Sequence, residues 1–314
     1  MRNLKAMPQT HQLSRTLRSL NRGQVKEQLV LFGTAKPKVI NVSSVPQRSL
    51  FRYPGGKTWL IPYVRQWLNT CNSINKELIE PFAGGGIVSL TAVAEKRVRK
   101  AVMVELDEDV SAVWKTLLSD DANWLANKII EFSVTKANVE LVLSEIPSSL
   151  KEKAFAVLLK NRMSHGGILA NGAGLLKHGE NGKGLLSRWY PETLRDRIID
   201  LQNYKANLNF IHGNGLEILK ENIHRTDTLF FIDPPYTVAG KRLYRYSEVD
   251  HAELFRIASE LQGSFLITYD NADEIRELAS SNGFQIAEIP MKGTQHTEKT
   301  ELVIGRDLGW LKVI

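Results

Sequence analysis

Apolar and polar residues follow two regular patterns along this chain, and together they predict an α/β fold. Short apolar runs typical of buried strands begin at residue 77 and recur at 101–104, 207–211, 228–232, 264–268, 284–289 and 301–304. Segments with the period of helices lie between them, at 58–69, from 87 onward, at 250–261 and at 272–281. Strands that alternate with helices favour a doubly wound, Rossmann-like sheet.

A stretch of different character interrupts this alternation. Residues 107–164 carry helical periodicity, and residues 161–191 are rich in glycine and predict a loop. Residues 151–197 contain nine Lys or Arg against four acids. A basic, glycine-rich loop suits a surface that follows DNA, and a surface insertion without a special role is the alternative. We therefore predict an inserted small helical domain over residues 120–205.

The charge of the chain is concentrated at its start. The net charge is +7, but residues 1–48 hold nine Lys or Arg and one acid, which leaves the remainder at −1. Residues 1–47 lack periodicity, so we predict a basic, mostly disordered tail. Such tails often contact nucleic acid, and a merely solvated arm is the alternative.

Composition narrows the class of protein further. With 43% hydrophobic and 24% charged residues, the chain has the composition of a soluble globular protein. No apolar run has the length of a membrane span. The single cysteine, Cys71, excludes an intramolecular disulfide and a cysteine-cluster zinc site. We expect a cytoplasmic protein of bacterial or phage origin with no membrane partner.

One apolar motif stands out in the basic tail. Residues Gln28 to Phe32 read Gln-Leu-Val-Leu-Phe, within otherwise polar sequence. Exposed apolar side chains in a disordered segment usually have a partner. The motif is similar to the pentapeptide by which bacterial proteins bind the replication sliding clamp, which makes the clamp a candidate partner. A short strand that folds back on the body is the alternative.

A glycine-rich loop follows the first predicted strand. Residues 77–86 read Glu-Leu-Ile-Glu-Pro-Phe-Ala-Gly-Gly-Gly, and an apolar helix begins at Ile87. Glycines at this place allow a close approach to a ligand, and the helix start favours a carboxylate or phosphate. Glu105 ends the next strand, 21 residues after Gly84, at the spacing of an acid that binds ribose hydroxyls. An NAD-binding unit is the rival, but Ala-Gly-Gly-Gly does not supply the spacing G-x-G-x-x-G.

Another pair of glycines lies earlier in the chain. Residues 51–57 read Phe-Arg-Tyr-Pro-Gly-Gly-Lys and precede the helix predicted at 58–69. Paired glycines permit a close backbone approach to a ligand, and the helix offers free N–H groups. Taken alone, such a turn is usually only the entry to a helix.

The fourth predicted strand ends in chemistry-bearing residues. Thr228 to Ile232 form a buried strand, and Asp233-Pro234-Pro235-Tyr236 follow it directly. Two prolines stop the strand and hold the Asp233 carboxylate and the Pro234 carbonyl in a stiff loop. These two acceptors suit the two N–H bonds of a planar exocyclic amine such as that of adenine. Tyr236 could stack on the base, and an ordinary proline turn is the structural alternative.

In this order, the motifs resemble those of the Dam-type adenine-N6 DNA methyltransferases (D12 class, α group). The order is Tyr53-Pro-Gly-Gly-Lys57, then Pro81-Phe-Ala-Gly-Gly-Gly86, then a helical insert, then Asp233-Pro-Pro-Tyr236. The resemblance covers roughly residues 48–306. It implies a class I methyltransferase domain over residues 48–119 and 206–314, with the insert of 120–205 as target-recognition domain. It also implies S-adenosylmethionine as cofactor, double-stranded DNA as partner, a flipped-out target adenine and no metal.

The same resemblance implies roles for individual residues. The catalytic residues would be Asp233, Pro234, Pro235 and Tyr236. Contacts to S-adenosylmethionine would come from Tyr53, Lys57, Phe82, Ala83, Gly84, Gly85, Gly86, Glu105, Leu106, Asn214, Gly215 and Asp233. Contacts to DNA would come from Asn161, Arg162, Ser164, His165, Lys177, Lys183 and Arg188, of which the first three match an Asn-Arg-x-Ser segment of the family.

Two positions depart from the family pattern. Asn214 occupies a position where an Asp often contacts the cofactor adenine, and His165 replaces a common aromatic residue. The alternatives on this fold are methylation of another planar amine, in RNA or on a protein glutamine, or a DNA-binding relative without activity. Glutamine enzymes usually carry Asn at the position of Asp233. The presence of Asp233, Tyr236 and Lys57 argues against lost activity.

Overall fold

The computed structural model describes residues 45–52, 56–169, 174–176, 179, 182–236, 248–292 and 298–311. The tail motif Gln28–Phe32 and the predicted site residues Tyr53 and Lys177 lie outside these ranges. In the ranges described, no helix combines the length and the apolar character that crossing a membrane requires.

The strands of the described residues form one sheet of seven. They are β1 (Glu77–Glu80), β2 (Lys100–Glu105), β3 (Leu208–His212), β4 (Thr228–Ile232), β5 (Ser264–Asp270), β6 (Gln285–Lys292) and β7 (Glu298–Gly305). Their order across the sheet is β3-β2-β1-β4-β5-β7-β6. Strands β1 to β5 pair in parallel, and β7 runs antiparallel to both β5 and β6.

The order of the strands creates a switch point between β1 and β4. From β1 the chain proceeds outward to β2 and β3, then returns to β4 on the other side of β1. Loops that leave β1 and β4 at their carboxyl ends therefore diverge, and a crevice opens between them. Ligands of open α/β sheets bind at such a crevice.

Helices cover both faces of this sheet, as the doubly wound prediction requires. They are α1 (Ile61–Thr70), α2 (Ile87–Ala94), α3 (Glu108–Leu117), α4 (Ala122–Glu131), α5 (Lys136–Ser144), α6 (Leu150–Met163), α7 (Pro191–Gln202), α8 (Gly215–Glu221), α9 (His251–Glu260) and α10 (Asp273–Ser281). A 3₁₀ turn at Lys57–Leu60 leads into α1.

Alternate side chains of each central strand enter different cores. Leu78 and Phe231 pack on the face covered by α1, α2 and α3, whereas Ile79 and Phe230 pack on the face covered by α8, α9 and α10. This alternation follows from the two-residue period of a strand. Because both faces are covered, the interiors of the central strands are mostly apolar, which is why their sequences show short apolar runs.

The inserted helices share the first of these cores. Leu125 of α4, Phe155 of α6 and Ile198 of α7 are buried in the same cluster as Trp114 of α3. Side chains cap two helices of the insert: the Thr135 hydroxyl accepts the Asn138 N–H at the start of α5, and the Ser149 hydroxyl accepts the Glu152 N–H at the start of α6. The division of the chain at residues 120 and 205 stays a prediction, because no separate core marks it.

The last two strands are longer than their apolar patterns indicate. The patterns predict 284–289 and 301–304, whereas β6 and β7 continue as an antiparallel pair to the register of Lys292 with Glu298. Ladder hydrogen bonds between neighbouring strands hold these ends, and the apolar pattern of either strand alone does not reveal them.

Candidate active site

The predicted motifs meet in one cavity at the carboxyl edge of the sheet. The cavity has a volume of about 480 Å³, within the usual range for small-molecule sites. It lies at the switch point between β1 and β4. Predicted catalytic and cofactor residues that line it are Lys57, Phe82, Ala83, Gly84, Gly85, Gly86, Glu105, Leu106, Asn214, Gly215, Asp233 and Pro235.

The glycine loop between β1 and α2 is shaped by the packing beneath it. Gly84 and Gly86 have φ values of 48° and 62°, in the left-handed region that favours glycine. A Cβ at Gly86 would lie 2.8 Å from the sulfur of Met103 and 2.9 Å from the ring of Trp114. The indole Nε1 of Trp114 donates a hydrogen bond to the Gly84 carbonyl at 2.9 Å. The loop is therefore held open toward the cavity by α3 and β2.

Glu105 ties this loop to the end of β2. Its Oε2 accepts the Gly84 N–H at 2.9 Å, and its Oε1 accepts the Asp107 N–H at 2.9 Å. Burial raises the pKa of Glu105 to about 7, and the negative charge of the nearby Asp107 raises it further. The hydrogen bonds from the backbone oppose this shift. Glu105 thus holds the glycine loop in place, and its predicted contact with ribose hydroxyls would use the carboxylate lone pairs that remain.

The turn after β3 lies against the same loop. A Cβ at Gly215 would lie 2.2 Å from the Pro81 carbonyl oxygen and 3.0 Å from the Phe82 ring, so only glycine fits this close approach. The Asn214 side chain accepts the Leu216 N–H at 2.9 Å and caps α8. An Asp at this position could make the same cap, so the departure from the family pattern keeps the helix start intact.

Three side chains make polar contacts with Asp233, which directly follows β4. Its Oδ2 lies 2.9 Å from the Lys57 ammonium, and its Oδ1 accepts a hydrogen bond from the Thr268 hydroxyl at 2.7 Å and lies 3.5 Å from the Tyr236 hydroxyl. The side chain keeps 21% of its surface exposed, and it lines the cavity. The carboxylate is therefore fixed in orientation yet accessible from the crevice.

Lys57 joins the Asp233 carboxylate to a second carboxylate. Its Nζ also lies 3.5 Å from Oε2 of Glu301 on β7 and 2.7 Å from the Tyr236 hydroxyl. Burial opposes the charge of this ammonium, but Asp233 and Glu301 outweigh it and raise the pKa of Lys57. Burial raises the pKa of Glu301, and Lys57 counteracts that shift. Lys57 is predicted to contact the cofactor, and the structure places it in the cavity with these partners.

The hydroxyl group of Tyr236 faces Lys57 and Glu301. The hydroxyl donates to Glu301 at 2.9 Å, and the ring lies 5.9 Å from the Tyr269 ring, centroid to centroid, at 31°. Tyr236 is not among the residues that line the cavity in this conformation. Stacking of Tyr236 on a base stays a prediction, and the observed contacts instead link it to Lys57 and Glu301.

A further carboxyl group, Glu80, is buried at the end of β1. It is 3% exposed, and its Oε2 accepts the Ser89 N–H from the first turn of α2 at 2.9 Å. Burial raises the pKa of Glu80 to about 8, because the hydrogen bonds from Ser89 offset only part of the desolvation. A protonated Glu80 would add no negative charge beside Asp233 at neutral pH.

Two of the predicted DNA contacts are buried inside the protein. Asn161 and Ser164 are fully buried. The Asn161 side chain accepts the Arg52 N–H at 2.8 Å and donates to the Arg52 and Gly167 carbonyls at 3.1 and 2.7 Å. Contact of Asn161 and Ser164 with DNA stays a prediction, and neither side chain reaches the surface in this structure. Asn161 instead ties α6 to the segment before the Gly-Gly-Lys motif.

The remaining predicted DNA residues have different positions. Arg162 and Arg188 line the cavity, whereas His165 and Lys183 are exposed on the surface. Arg162 is 6% exposed and donates a hydrogen bond to the Leu50 carbonyl. Contact with DNA stays a prediction for these four residues.

Several residues of the site carry no motif in the sequence. Thr268 and Glu301 hold Asp233 and Lys57, and Arg52 and Arg197 line the cavity. Thr268 and Glu301 come together because β5 and β7 pair near these positions, where Thr268 lies opposite Val303. Glu301 directly precedes the apolar run Leu302–Ile304, and a charged residue at that place is the signal that the sequence offers.

The sheet order, with β7 inserted antiparallel between β5 and β6, and the glycine loop at the switch point define a Rossmann-like class I methyltransferase fold. Residues 53–154 match the family model of the D12 class N6 adenine-specific DNA methyltransferases. This match contains the Gly-Gly-Lys motif, the glycine loop and Glu105, and it confirms the resemblance to that family. The fold and the match over residues 53–154 both support methyltransferase activity. Asp233 lies outside the matched residues, and the fold brings it to the same cavity.

Solved methyltransferase structures are also similar to this chain. The rRNA methyltransferase aviRa of Streptomyces viridochromogenes has 13% identity and a TM-score of 0.41, over 86% of this chain and 94% of the other. A precorrin-6y C5,15-methyltransferase of Geobacter metallireducens has 8% identity and a TM-score of 0.36, over 78% and 87%. No curated protein sequence matches the chain.

Proposed function

We propose that this protein transfers a methyl group from S-adenosylmethionine to the N6 amine of adenine in DNA. One observation carries the proposal: Asp233 and Pro235 line the same cavity as the glycine loop and Glu105. The cavity thus places the glycine loop, which would hold a cofactor, beside an acceptor suited to a planar amine. The family match over residues 53–154 favours adenine in DNA among such amines.

The glycine loop and Glu105 fit the proposed cofactor in their shape and in the hydrogen-bonding groups that they offer. The left-handed glycines leave the loop without side chains where a ligand would lie, and Glu105 offers carboxylate lone pairs at the end of β2. When bound, S-adenosylmethionine would supply a methyl group that its sulfonium makes electrophilic. Phe82 to Gly86, Glu105, Leu106, Asn214 and Gly215 would hold it.

Asp233 would then orient and activate the amine. The lone pair of an adenine amine is delocalised into the ring, so the nitrogen is a weak nucleophile. N–H bonds donated to the Asp233 carboxylate and the Pro234 carbonyl would turn that lone pair toward the methyl group, with the reacting atoms about 3–3.5 Å apart. The carbon–nitrogen bond would form as the methyl carbon–sulfur bond breaks and S-adenosylhomocysteine is left. The nitrogen would then be cationic, and the carboxylate would stabilise this charge. The amine finally gives up one proton, which Asp233 is placed to accept.

Lys57 and Thr268 would orient the Asp233 carboxylate, which is the acceptor for the amine. Their contacts of 2.9 and 2.7 Å occupy one direction at each oxygen of Asp233. A carboxylate oxygen can accept more than one hydrogen bond, so both oxygens keep capacity for an N–H donor. The pre-organised carboxylate loses little freedom when the substrate binds, which favours the transition state.

The target base would have to leave the duplex to reach Asp233. Asp233 lies in a crevice, and a stacked base in a duplex cannot enter it, so we infer base flipping. Exposed basic residues of the insert, such as Lys183, would contact the DNA around this crevice. The cost of unstacking one base, a few kcal/mol, would be offset by these contacts.

The test is methyl transfer by the purified protein from radiolabelled S-adenosylmethionine. Substrates are genomic DNA, the same DNA as single strands, total RNA and a synthetic duplex without adenine, and product nucleosides are identified by mass spectrometry. We expect N6-methyladenine in DNA only, and sequencing of the methylated DNA then maps the target adenine. Label in RNA, or no N6-methyladenine in any DNA, would refute the proposed substrate.

A further inference from the structure

Four arginines from separate parts of the chain line the active-site cavity together. Arg52 precedes the Gly-Gly-Lys motif, Arg162 lies in the last turn of α6, Arg188 ends a 3₁₀ turn, and Arg197 belongs to α7. Burial lowers the pKa of Arg162 to about 9, and the charges of Arg197, Arg52 and Arg188 add to that effect. The four charges are therefore close enough to repel one another inside one cavity.

Some donors of this group are buried without a partner. Arg162 is 6% exposed, and its Nε has no hydrogen-bond partner. The same holds for Nη1 of Arg52. Burying a charged donor without an acceptor is unfavourable. Such an arrangement at the wall of a cavity indicates that an acceptor from a ligand completes it.

Three of these arginines form no ion pair with an acid among the described residues. Within the part of the chain that the structure describes, no ion pair joins Arg52, Arg162 or Arg197 to an acid. Other arginines of the protein, such as Arg65 and Arg225, do pair with Glu95 and Glu77 at 2.5 and 2.7 Å. Arg52, Arg162 and Arg197 thus bring positive charge to the wall of the cavity, where a ligand can reach it.

Backbone carbonyls orient two of the guanidinium groups. Arg162 donates through Nη2 to the Leu50 carbonyl, and Arg197 donates through Nη1 to the Ser49 carbonyl at 2.7 Å. A guanidinium group has five N–H donors, so each arginine keeps donors for a ligand. These contacts fix the cluster before any ligand binds.

The chemistry of the cluster selects an anion with several oxygen atoms. A guanidinium fork matches phosphate through two parallel hydrogen bonds. In the proposed reaction, the nucleotide whose base reaches Asp233 carries a phosphate on each side of its sugar, within one nucleotide of the cavity. We propose that Arg52, Arg162, Arg188 and Arg197 form a phosphate site, which holds the DNA backbone beside the flipped adenine. This inference rests on the proposed function and adds a site to it.

The test removes positive charge from single arginines of the cluster and negative charge from single phosphates of the DNA. Arg52→Gln and Arg188→Gln are the informative variants, because Arg162 and Arg197 also support backbone carbonyls. The probe is a duplex that contains the mapped adenine, with one uncharged methylphosphonate at each nearby backbone position in turn, bound in the presence of S-adenosylhomocysteine. Arg195→Gln, on the exposed side of the same helix as Arg197, is the matched control.

We expect one methylphosphonate position to weaken binding to the wild type by about tenfold, as for a lost charge-assisted hydrogen bond. Arg52→Gln should weaken binding of the unmodified duplex to a similar extent, and the same methylphosphonate should then have little further effect. Arg52→Lys, which keeps the charge but loses the fork, should lie between. Arg195→Gln should behave as the wild type.

The outcomes separate this site from the proposed function. If the wild type methylates adenine in DNA but the effects of each Arg variant and each methylphosphonate simply add, the phosphate site is wrong and the proposed function stands. If S-adenosylhomocysteine affinity, measured by calorimetry, falls with Arg52→Gln as much as DNA affinity does, the cluster binds the cofactor carboxylate instead. If the wild type methylates no DNA, both proposals fail. Equal melting temperatures of variants and wild type establish that the fold is intact.

Discussion

The ammonium of Lys57 lies 2.9 Å from the carboxylate of Asp233, although 176 positions separate the two residues in the chain. One residue comes from the first motif and the other from the last. Their contact links the turn before α1 to the loop after β4, across the crevice where β1 and β4 diverge. Each of the first two predictions below tests one partner of this pair.

Asp233→Ala should strongly lower the rate of methyl transfer and leave the fold intact. Asp233 is the acid at the carboxyl end of β4, and its removal leaves the amine without its charged acceptor. We expect a loss on the order of 10²–10³ in rate, as for a lost electrostatic contact in a transition state. Asp233→Asn should retain some activity, because an amide oxygen still accepts one N–H bond. A rate for Asp233→Ala within tenfold of the wild type would contradict this role.

Lys57→Met should lower kcat by at least about tenfold, because Asp233 loses the charge that orients it. The side chain of Lys57 is only 4% exposed, and methionine occupies a similar volume without an ammonium. Steady-state kinetics together with calorimetric titration of S-adenosylmethionine separate two roles for Lys57. A loss confined to cofactor affinity, with kcat unchanged, would show that Lys57 serves the cofactor and not Asp233.

Glu105→Ala should weaken binding of S-adenosylmethionine by about 1.5–3 kcal/mol, the value of hydrogen bonds to a charged group. Glu105→Gln is the matched variant, because an amide oxygen can still accept the Gly84 N–H but carries no charge. Since burial raises the pKa of Glu105 to about 7, wild-type affinity should also fall as the pH drops below 7. Calorimetry that shows equal affinity for all three proteins would exclude Glu105 as a cofactor ligand.

Glu80→Gln should change how stability depends on pH. The pKa of Glu80 is about 8 in the folded protein, against 4.5 for an ordinary glutamate, so folding favours the protonated form. Its contribution to stability is full below pH 4.5 and is lost as the pH rises toward 8. Within that window the wild type should lose up to about 1.4 kcal/mol per pH unit relative to the variant. Denaturant unfolding at several pH values measures this difference, and parallel curves would contradict a raised pKa.

The tail motif Gln28–Phe32 should bind a bacterial sliding clamp. Its glutamine, leucines and phenylalanine fill the positions of the docking pentapeptide, and tethering would raise the local concentration of the enzyme on newly replicated DNA. A peptide of residues 26–36 is titrated against the clamp by fluorescence anisotropy, with Leu31→Ala and Phe32→Ala together as control. Equal binding by the control peptide, or none at high micromolar concentration, would end the hypothesis.

Local sequence determined the elements of this fold and the motifs at their ends. Apolar runs bounded by glycine and proline mark buried strands, because a strand covered on both faces has no polar side. The glycine loop of residues 84–86, Glu105 and Asp233 were predictable for the same reason, since each lies at the end of such a strand or shortly after it. Parallel strands place their carboxyl ends on one edge, so these residues had to approach one another.

Tertiary structure alone decided the partners of those residues. Glu301 and Thr268 support Lys57 and Asp233 because β7 enters the sheet antiparallel beside β5, and no local pattern specifies that neighbour. Likewise, Asn161 belongs to a sequence motif, yet its side chain makes hydrogen bonds to the backbone of Arg52 inside the protein. A side chain's role depends on which groups surround it, and burial and pairing between distant segments set those surroundings only when the chain is folded.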